Sequence, residues 1–261
     1  MTTWIRMTLA AAVILAAGCE HKKKSADVTP PKTDEGTKPA TNPDKPAATV
    51  DPAPVKPPEP APLPSSADTV REPVAADLAE YMKDLPGKGD KLEAEIKTSE
   101  GTFHCDLFAD KAPMTVANWV GLATGKKAWK NPRTGETMKK TPFYDGLKFH
   151  RVIPQFMVQG GDPLGNGTGG PGYDFAEETR PDLVHEPGTL SMAKTSAPHS
   201  TGSQFFIMEA RKTSLDNGYS VFGKCKEVDL VKKITALGDP NNNDMPTKDV
   251  TIQKVTITRA E

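Results

Sequence analysis

The sequence predicts a mainly β fold, a closed eight-stranded antiparallel barrel capped by two α-helices, set behind a long polar tail. Three observations predict it. Fourteen of the 16 aromatic residues lie between Leu92 and Glu261, and none lies between Ile5 and Glu80. The last 170 residues can therefore bury about 70% of their unfolded surface, whereas the first part cannot. Short β-rich runs recur through this region, and only two segments carry apolar residues at helical spacing. With 33 Lys and Arg against 34 Asp and Glu, the net charge of −1 offers no bulk attraction to nucleic acid.

At the N-terminus one positive charge, at Arg6, precedes the apolar run Met7 to Gly18, which ends at Cys19. Twelve residues are too few to cross a hydrocarbon core of ~30 Å as a helix. A cleaved export signal over residues 1–19 is the better reading. Leu15-Ala-Ala-Gly-Cys19 resembles the lipobox of bacterial lipoproteins, in which the Cys thiol is acylated and becomes the mature N-terminus. Ala16 stands where that box usually has Leu, Val or Ile. An ordinary signal peptide with Cys19 incidental, or an uncleaved anchor, stays open. The lipobox reading implies a bacterial cell envelope protein, lipid-anchored to a membrane, with its domain in the periplasm or outside the cell.

Residues 20–76 hold 13 prolines and no periodic apolar pattern, so burial cannot offset the entropy of ordering them. They read as a disordered tether, spanning ~40 Å in root-mean-square terms. Residues 77–91 lead in, with a short helix over Ala76 to Lys83, and residues 92–261 form the folded domain.

Leu92 to Thr98 and Thr102 to Phe108 alternate in period two about Ser99-Glu100-Gly101, which predicts a hairpin. Pro113 opens a helix with Val116, Trp119, Val120 and Ala123 on one face, and Gly125 closes it. Strands follow at Leu147 to Val152, Phe156 to Gln159, Gly188 to Met192, Gln204 to Met208 and Val221 to Cys225. A second helix begins near Val228, with Leu230, Val231, Ile234 and Leu237 on one side and Gly238 and Pro240 as its stop. Val250 to Thr258 is the last strand. Cys105 and Cys225 fall in strands and leave two readings, a disulfide or two separate buried thiols, with the thiols slightly favoured.

Familiar catalytic motifs fail. Gly165-x-Gly167-x-x-Gly170 has the letters of a dinucleotide fingerprint, but Pro171 and Gly172 stand where a helix must start. Gly125-Lys126 lacks the rest of a P-loop, the five His residues have no metal-ligand spacing, and Ser203 is not in a nucleophile elbow. No metal and no cofactor is expected.

The dense signal is Phe149-His-Arg-Val-Ile-Pro-Gln-Phe-Met-Val-Gln-Gly-Gly-Asp162, together with Gly202-Ser-Gln-Phe-Phe-Ile207, Phe143-Tyr-Asp-Gly146 and Val221-Phe-Gly223. These segments resemble the cyclophilin family of peptidyl-prolyl cis-trans isomerases over about Leu92 to Glu261. The resemblance implies an eight-stranded barrel with a helix at each end. It implies that Arg151 is the catalytic arginine, with Phe156 and Gln159 beside it and His150 before it. It places the proline pocket at Phe156, Met157, Phe206 and Leu215, substrate-positioning amides at Gln159 and Gln204, and main-chain contacts at Ala193 and Lys194. Lys194 replaces the usual Asn, Ser214 the Trp and Tyr219 the His of well-known members, and one residue is added between Thr195 and Gly202. Sequence preference and cyclosporin binding are the properties these changes affect.

The chemistry suits these residue types. An X-Pro bond turns over a barrier of ~18–20 kcal/mol because amide resonance must be broken. No bond is made or cleaved, so a catalyst needs only to bind the twisted amide more tightly than either planar isomer. In the twisted state the prolyl nitrogen regains a lone pair, to which a permanently protonated guanidinium can donate. Such a prepared donor is worth ~3–4 kcal/mol by analogy with oxyanion holes. The expected partners are proline-containing polypeptides, unfolded or exported, met by a monomer. A proline-binding chaperone or assembly module with incidental catalysis is the alternative.

Overall fold

The computed structural model describes residues 63–261; the expected signal with Cys19, and the tether through residue 62, lie outside them. Helix α1 (Asp77–Met82) precedes the hairpin of β1 (Lys91–Thr98) and β2 (Thr102–Leu107). Its alternation is the one read above: Leu92, Ala94, Ile96, Phe103, Cys105 and Leu107 are buried, while Glu93, Glu95, His104 and Asp106 face outward. Helix α2 (Pro113–Thr124) is followed by a small hairpin, β3 (Trp129–Lys130) with β4 (Thr137–Met138). Strands β5 (Arg151–Ile153), β6 (Met157–Gly160), β7 (Thr189–Met192), β8 (Phe205–Met208) and β9 (Val221–Cys225) lead to helix α3 (Val228–Thr235). A second small hairpin, β10 (Gly238–Asp239) with β11 (Met245–Pro246), precedes the last strand, β12 (Ile252–Ala260).

Eight strands form one antiparallel sheet in the order β12-β1-β2-β9-β7-β8-β6-β5. The sheet curls into a half-barrel, so the expected full closure was an overstatement. The segment Leu147 to Val152 becomes regular strand only at Arg151, so the edge facing β12 is short. Its first residues meet the start of β12 through the bridge Lys148–Thr251, flanked by Phe149 N–H donating to Val250 O (2.9 Å) and Ile252 N–H to Leu147 O (2.7 Å). The seam is laced rather than paired along its length.

Three α-helices are present among the described residues, the short lead-in helix α1 falling within the Ala76 to Lys83 expected for it. Helix α2 is buried from Thr115 to Ala123, more than its one-faced stripe predicts, because α1 and the segment before it cover its outer side. The tether boundary therefore moves upstream: residues 63–76, expected to be disordered, are part of the fold. Ala128 N–H donates to Ser66 O (2.7 Å), Ser66 Oγ lies 2.6 Å from Tyr81 Oη, and the buried Lys127 Nζ donates to Arg71 O (2.7 Å). These contacts rest on polar groups and a few buried side chains, which leave no apolar period in the sequence. At the start of α2, Met114 and Thr115 N–H donate to the Glu178 carboxylate (3.1 and 2.6 Å), which satisfies free helix amides.

Gly121 shows how tightly the N-terminal segment is docked. A Cβ there would stand 2.6 Å from the Tyr81 ring and 2.9 Å from Lys127 Cβ. Helix propensity favours Ala over Gly by ~1 kcal/mol, but overpacking costs ~1–3 kcal/mol. Gly121→Ala is expected to lower the denaturant midpoint; a raised midpoint would mean that Tyr81 does not pack on α2.

Cys105 and Cys225 are directly opposed on β2 and β9 and form a disulfide across a sequence separation of 120 residues. The slightly favoured reading, two separate thiols, is thereby corrected. Sequence spacing could not show that β9 returns to lie beside β2, or in which register.

Candidate active site

The site follows from strand register. Arg151 is paired with Gln159, Gln159 with Phe206, and Phe206 with Ser191, so one row of side chains crosses β5, β6, β8 and β7 on the same face. The neighbouring row Ile153–Met157–Met208 shares that face. Between them the row Val152–Val158–Ile207–Leu190 points the other way and is wholly buried in the main core. Alternation thus sends apolar residues to both faces. The outward set, Met157, Phe206 and Met208 with Ile153, Phe156, Ala193, Leu215 and Tyr219, packs as a separate apolar cluster.

That cluster floors an open groove of about 180 Å³, lined by Arg151, Phe156, Met157, Gln159, Ala193, Lys194, Phe206, Leu215 and Tyr219. A cavity of ~150 Å³ admits a six-membered ring, so the groove has room for a proline ring. Arg151 stands at its edge with its side chain 42% exposed. Its Nη1 donates to Gln159 Oε1 (3.4 Å), and its Nε lies 3.6 Å from Asp244 Oδ2. Gln159 Nε2 in turn donates to Gln204 Oε1 (3.0 Å), and Gln204 Nε2 to the carbonyls of Gly167 and Gly169 (2.9 Å each). The glycine-rich loop is wrapped on the buried Asp162, whose carboxylate accepts from Leu164, Asn166 and Gly167 N–H (2.7, 2.9 and 2.6 Å). A chain of amides therefore ties the guanidinium to a loop organised by the Asp162 carboxylate.

Nine of the eleven residues expected at the site line this groove. The other two sit elsewhere. Gln204 lies behind Gln159, its side chain engaged by that residue and by the loop. His150, the residue before β5, is buried and does not line the groove, and neither ring nitrogen has a protein partner. Both residues stand immediately before a strand, His150 before β5 and Gln204 before β8, where the alternation within the strand does not assign a face.

Three residues were not singled out from the sequence. Glu177 pairs with Lys194 (3.3 Å), whose ammonium also lies 5.7 Å from the Tyr219 ring centre. His185, fully buried, stacks on Phe206 with ring centres 5.8 Å apart and contacts Asp216 (3.2 Å) and Ser191 Oγ (3.2 Å). Asp244 faces Arg151. All three come from loops or turns, so only the fold brings them to the groove.

Burial lowers the His150 and His185 pKa values below the ordinary 6.5, outweighing the opposing pull of Asp162 on the first and Asp216 on the second. Below about pH 6.5 the unfolded chain takes up protons that the fold resists, so stability falls as pH drops through 6.5 toward the depressed values. The urea midpoint is expected to be lower at pH 5.5 than at pH 7.5. Replacing both histidines with Asn should flatten that difference, and an equal or higher wild-type midpoint at pH 5.5 would contradict it.

A curled antiparallel sheet bearing an arginine beside a proline-sized apolar slot defines a class of proline-peptide binders. Comparison with known proteins makes the class specific. Residues 93–257 match the family described as cyclophilin type peptidyl-prolyl cis-trans isomerase/CLD. The chain is 44% identical over 173 residues to peptidyl-prolyl cis-trans isomerase B of Streptomyces anulatus, covering 64% of this chain and 97% of that protein. It is 40% identical over 166 residues to the probable peptidyl-prolyl cis-trans isomerase A of Mycobacterium leprae, covering 63% and 91%. A crystal structure of a Cryptosporidium parvum cyclophilin type peptidyl-prolyl cis-trans isomerase is similar at a TM-score of 0.55 and 27% identity, over 66% of this chain and all of that one. A second structure, of the same protein in the presence of the dipeptide Ala-Pro, is similar at 0.54 and 28%, over 64% and 99%.

The chain belongs to the cyclophilin-type peptidyl-prolyl cis-trans isomerase family. It is an isomerase of X-Pro bonds, and its substrates are proline-containing peptides.

Proposed function

We propose that Arg151 carries the isomerisation, donating a hydrogen bond to the prolyl nitrogen as the amide twists out of conjugation, while Phe156, Met157, Phe206 and Leu215 hold the ring. The single observation behind this is the half-exposed guanidinium at the edge of an open apolar groove. The ring stays seated and the preceding carbonyl swings. Gln159 fixes the guanidinium, and Gln204 fixes Gln159. In this reading Ala193 and the Lys194 backbone receive the substrate main chain, and Tyr219 closes one wall. Replacing Arg151 with Ala, assayed on an X-Pro peptide, tests it.

The substrates in this reading are exported proteins, and the enzyme is a monomer tethered to a membrane through lipid on Cys19, with its domain in the periplasm or outside the cell. The support is the apolar run ending in Leu15-Ala-Ala-Gly-Cys19, followed by a proline-rich stretch of spacer composition. A Cys105–Cys225 disulfide fits an oxidising compartment. No helix among the described residues is long and apolar enough to cross a membrane. Mass spectrometry of protein from its native host is expected to find a mature chain beginning at acylated Cys19, and Cys19→Ser protein in the soluble fraction. An unmodified Cys19 in a membrane-free protein would overturn the anchoring, and light scattering checks the monomer.

A further inference from the structure

The small hairpin β10–β11 has a geometry that its length alone does not require. Gly238 lies so close to β5 that a Cβ there would stand 2.2 Å from Val152 O. From this anchor the chain turns through Asp239, whose side chain accepts from Asn241 N–H (2.9 Å), and Asp244 N–H donates back to Asp239 O (3.0 Å). Asn243 and Asp244 both take left-handed backbone angles, φ +53° and +58°, a conformation that Asn and Asp tolerate better than most side chains. The turn returns Asp244 to β5, where its carbonyl accepts Val152 N–H (2.8 Å) and its carboxylate comes to 3.6 Å from Arg151 Nε.

We propose that Asp244 is a positioning residue for Arg151, holding the Nε edge of the guanidinium while Gln159 holds Nη1, so that the remaining N–H groups are aimed at the groove. This rests on the reading of Arg151 as the catalytic donor. A hydrogen bond to Gln159 on one edge and an ion pair with Asp244 on the other, from different elements, fix a planar fork in a way that one contact cannot. Side-chain exposures of 42% and 32% make the pair too wet to add much stability, so its effect lies in orientation. A misplaced reacting group costs rate even when binding is intact.

The test separates backbone from carboxylate. Asp244→Gly keeps the left-handed turn accessible and the Val152 bond possible but removes the carboxylate; Asp244→Asn keeps an acceptor oxygen. Asp244→Gly is expected to lower kcat on an X-Pro peptide ~5–10-fold with KM unchanged, Asp244→Asn to stay within ~2-fold, and Asp244→Gly to have no further effect in an Arg151→Ala background. The Arg151 Nε–H nuclear magnetic resonance signal should be sharp in the wild type and broadened in Asp244→Gly. Wild-type kcat in Asp244→Gly, an equal fractional loss on top of Arg151→Ala, or a freely rotating Arg151 side chain in the wild-type protein would each overturn the proposal. If Arg151→Ala lowers kcat and Asp244→Gly does not, only the positioning role fails; if Arg151→Ala itself has wild-type kcat, the reading beneath it fails.

Discussion

Arg151→Ala is expected to lower kcat/KM on an X-Pro peptide by ~10² or more, the loss that follows from removing one prepared donor to a developing lone pair. Arg151→Lys should fall in between. It keeps the charge at the groove but loses the planar fork, and a single ammonium cannot engage Gln159 and the prolyl nitrogen with the same geometry. Neither change should move the melting temperature by more than a few degrees, because the side chain is 42% exposed and its Asp244 pair lies at the surface. The ordering wild type, Lys, Ala in turnover, with stability level, separates the loss of a donor from the loss of a fold. Equal turnover in all three proteins would remove Arg151 from the mechanism.

Removing the Cys105–Cys225 bond should have the largest effect on stability. The link closes 120 residues of chain and joins β2 to β9, near the middle of the sheet. Losing a native disulfide costs ~2–5 kcal/mol, so Cys105→Ser with Cys225→Ser should lower the melting temperature by ~5–15 °C for a domain of this size. Reductant should produce a similar loss in the wild-type protein and none in the double variant. Neither cysteine lines the groove, so kcat/KM below the transition should hold. Two free thiols in denatured protein without reductant would show that the pair does not form.

The legible part of this molecule was written in local pattern. The β1–β2 hairpin follows from strict alternation, α2 from Pro113, its apolar stripe and Gly125, and α3 from Val231, Ile234 and the stop at Gly238. The groove was legible by resemblance, since Arg151, Phe156, Gln159 and Phe206 sit in two dense segments, and strand register accounts for their meeting. What could not be read depends on long-range geometry. The incomplete closure depends on where the edge segment Leu147 to Val152 becomes regular strand and on how it meets the region before β12. The docking of residues 63–76 rests on backbone carbonyls and a buried lysine, which carry no periodic signal. The disulfide needs the register of β2 against β9. His150 and Gln204 kept the right neighbours in sequence but do not line the groove.

The most direct test is magnetization exchange on a saturating Ala-Pro peptide, which gives the bound-state cis–trans rate and the dissociation constant in one experiment. If the guanidinium favours the half-turned imide over both planar forms, Arg151→Ala should slow bound exchange ~10²-fold while the dissociation constant changes no more than a few-fold. Unchanged bound exchange with weakened binding would show that Arg151 grips the substrate without easing its rotation, and would contradict the account.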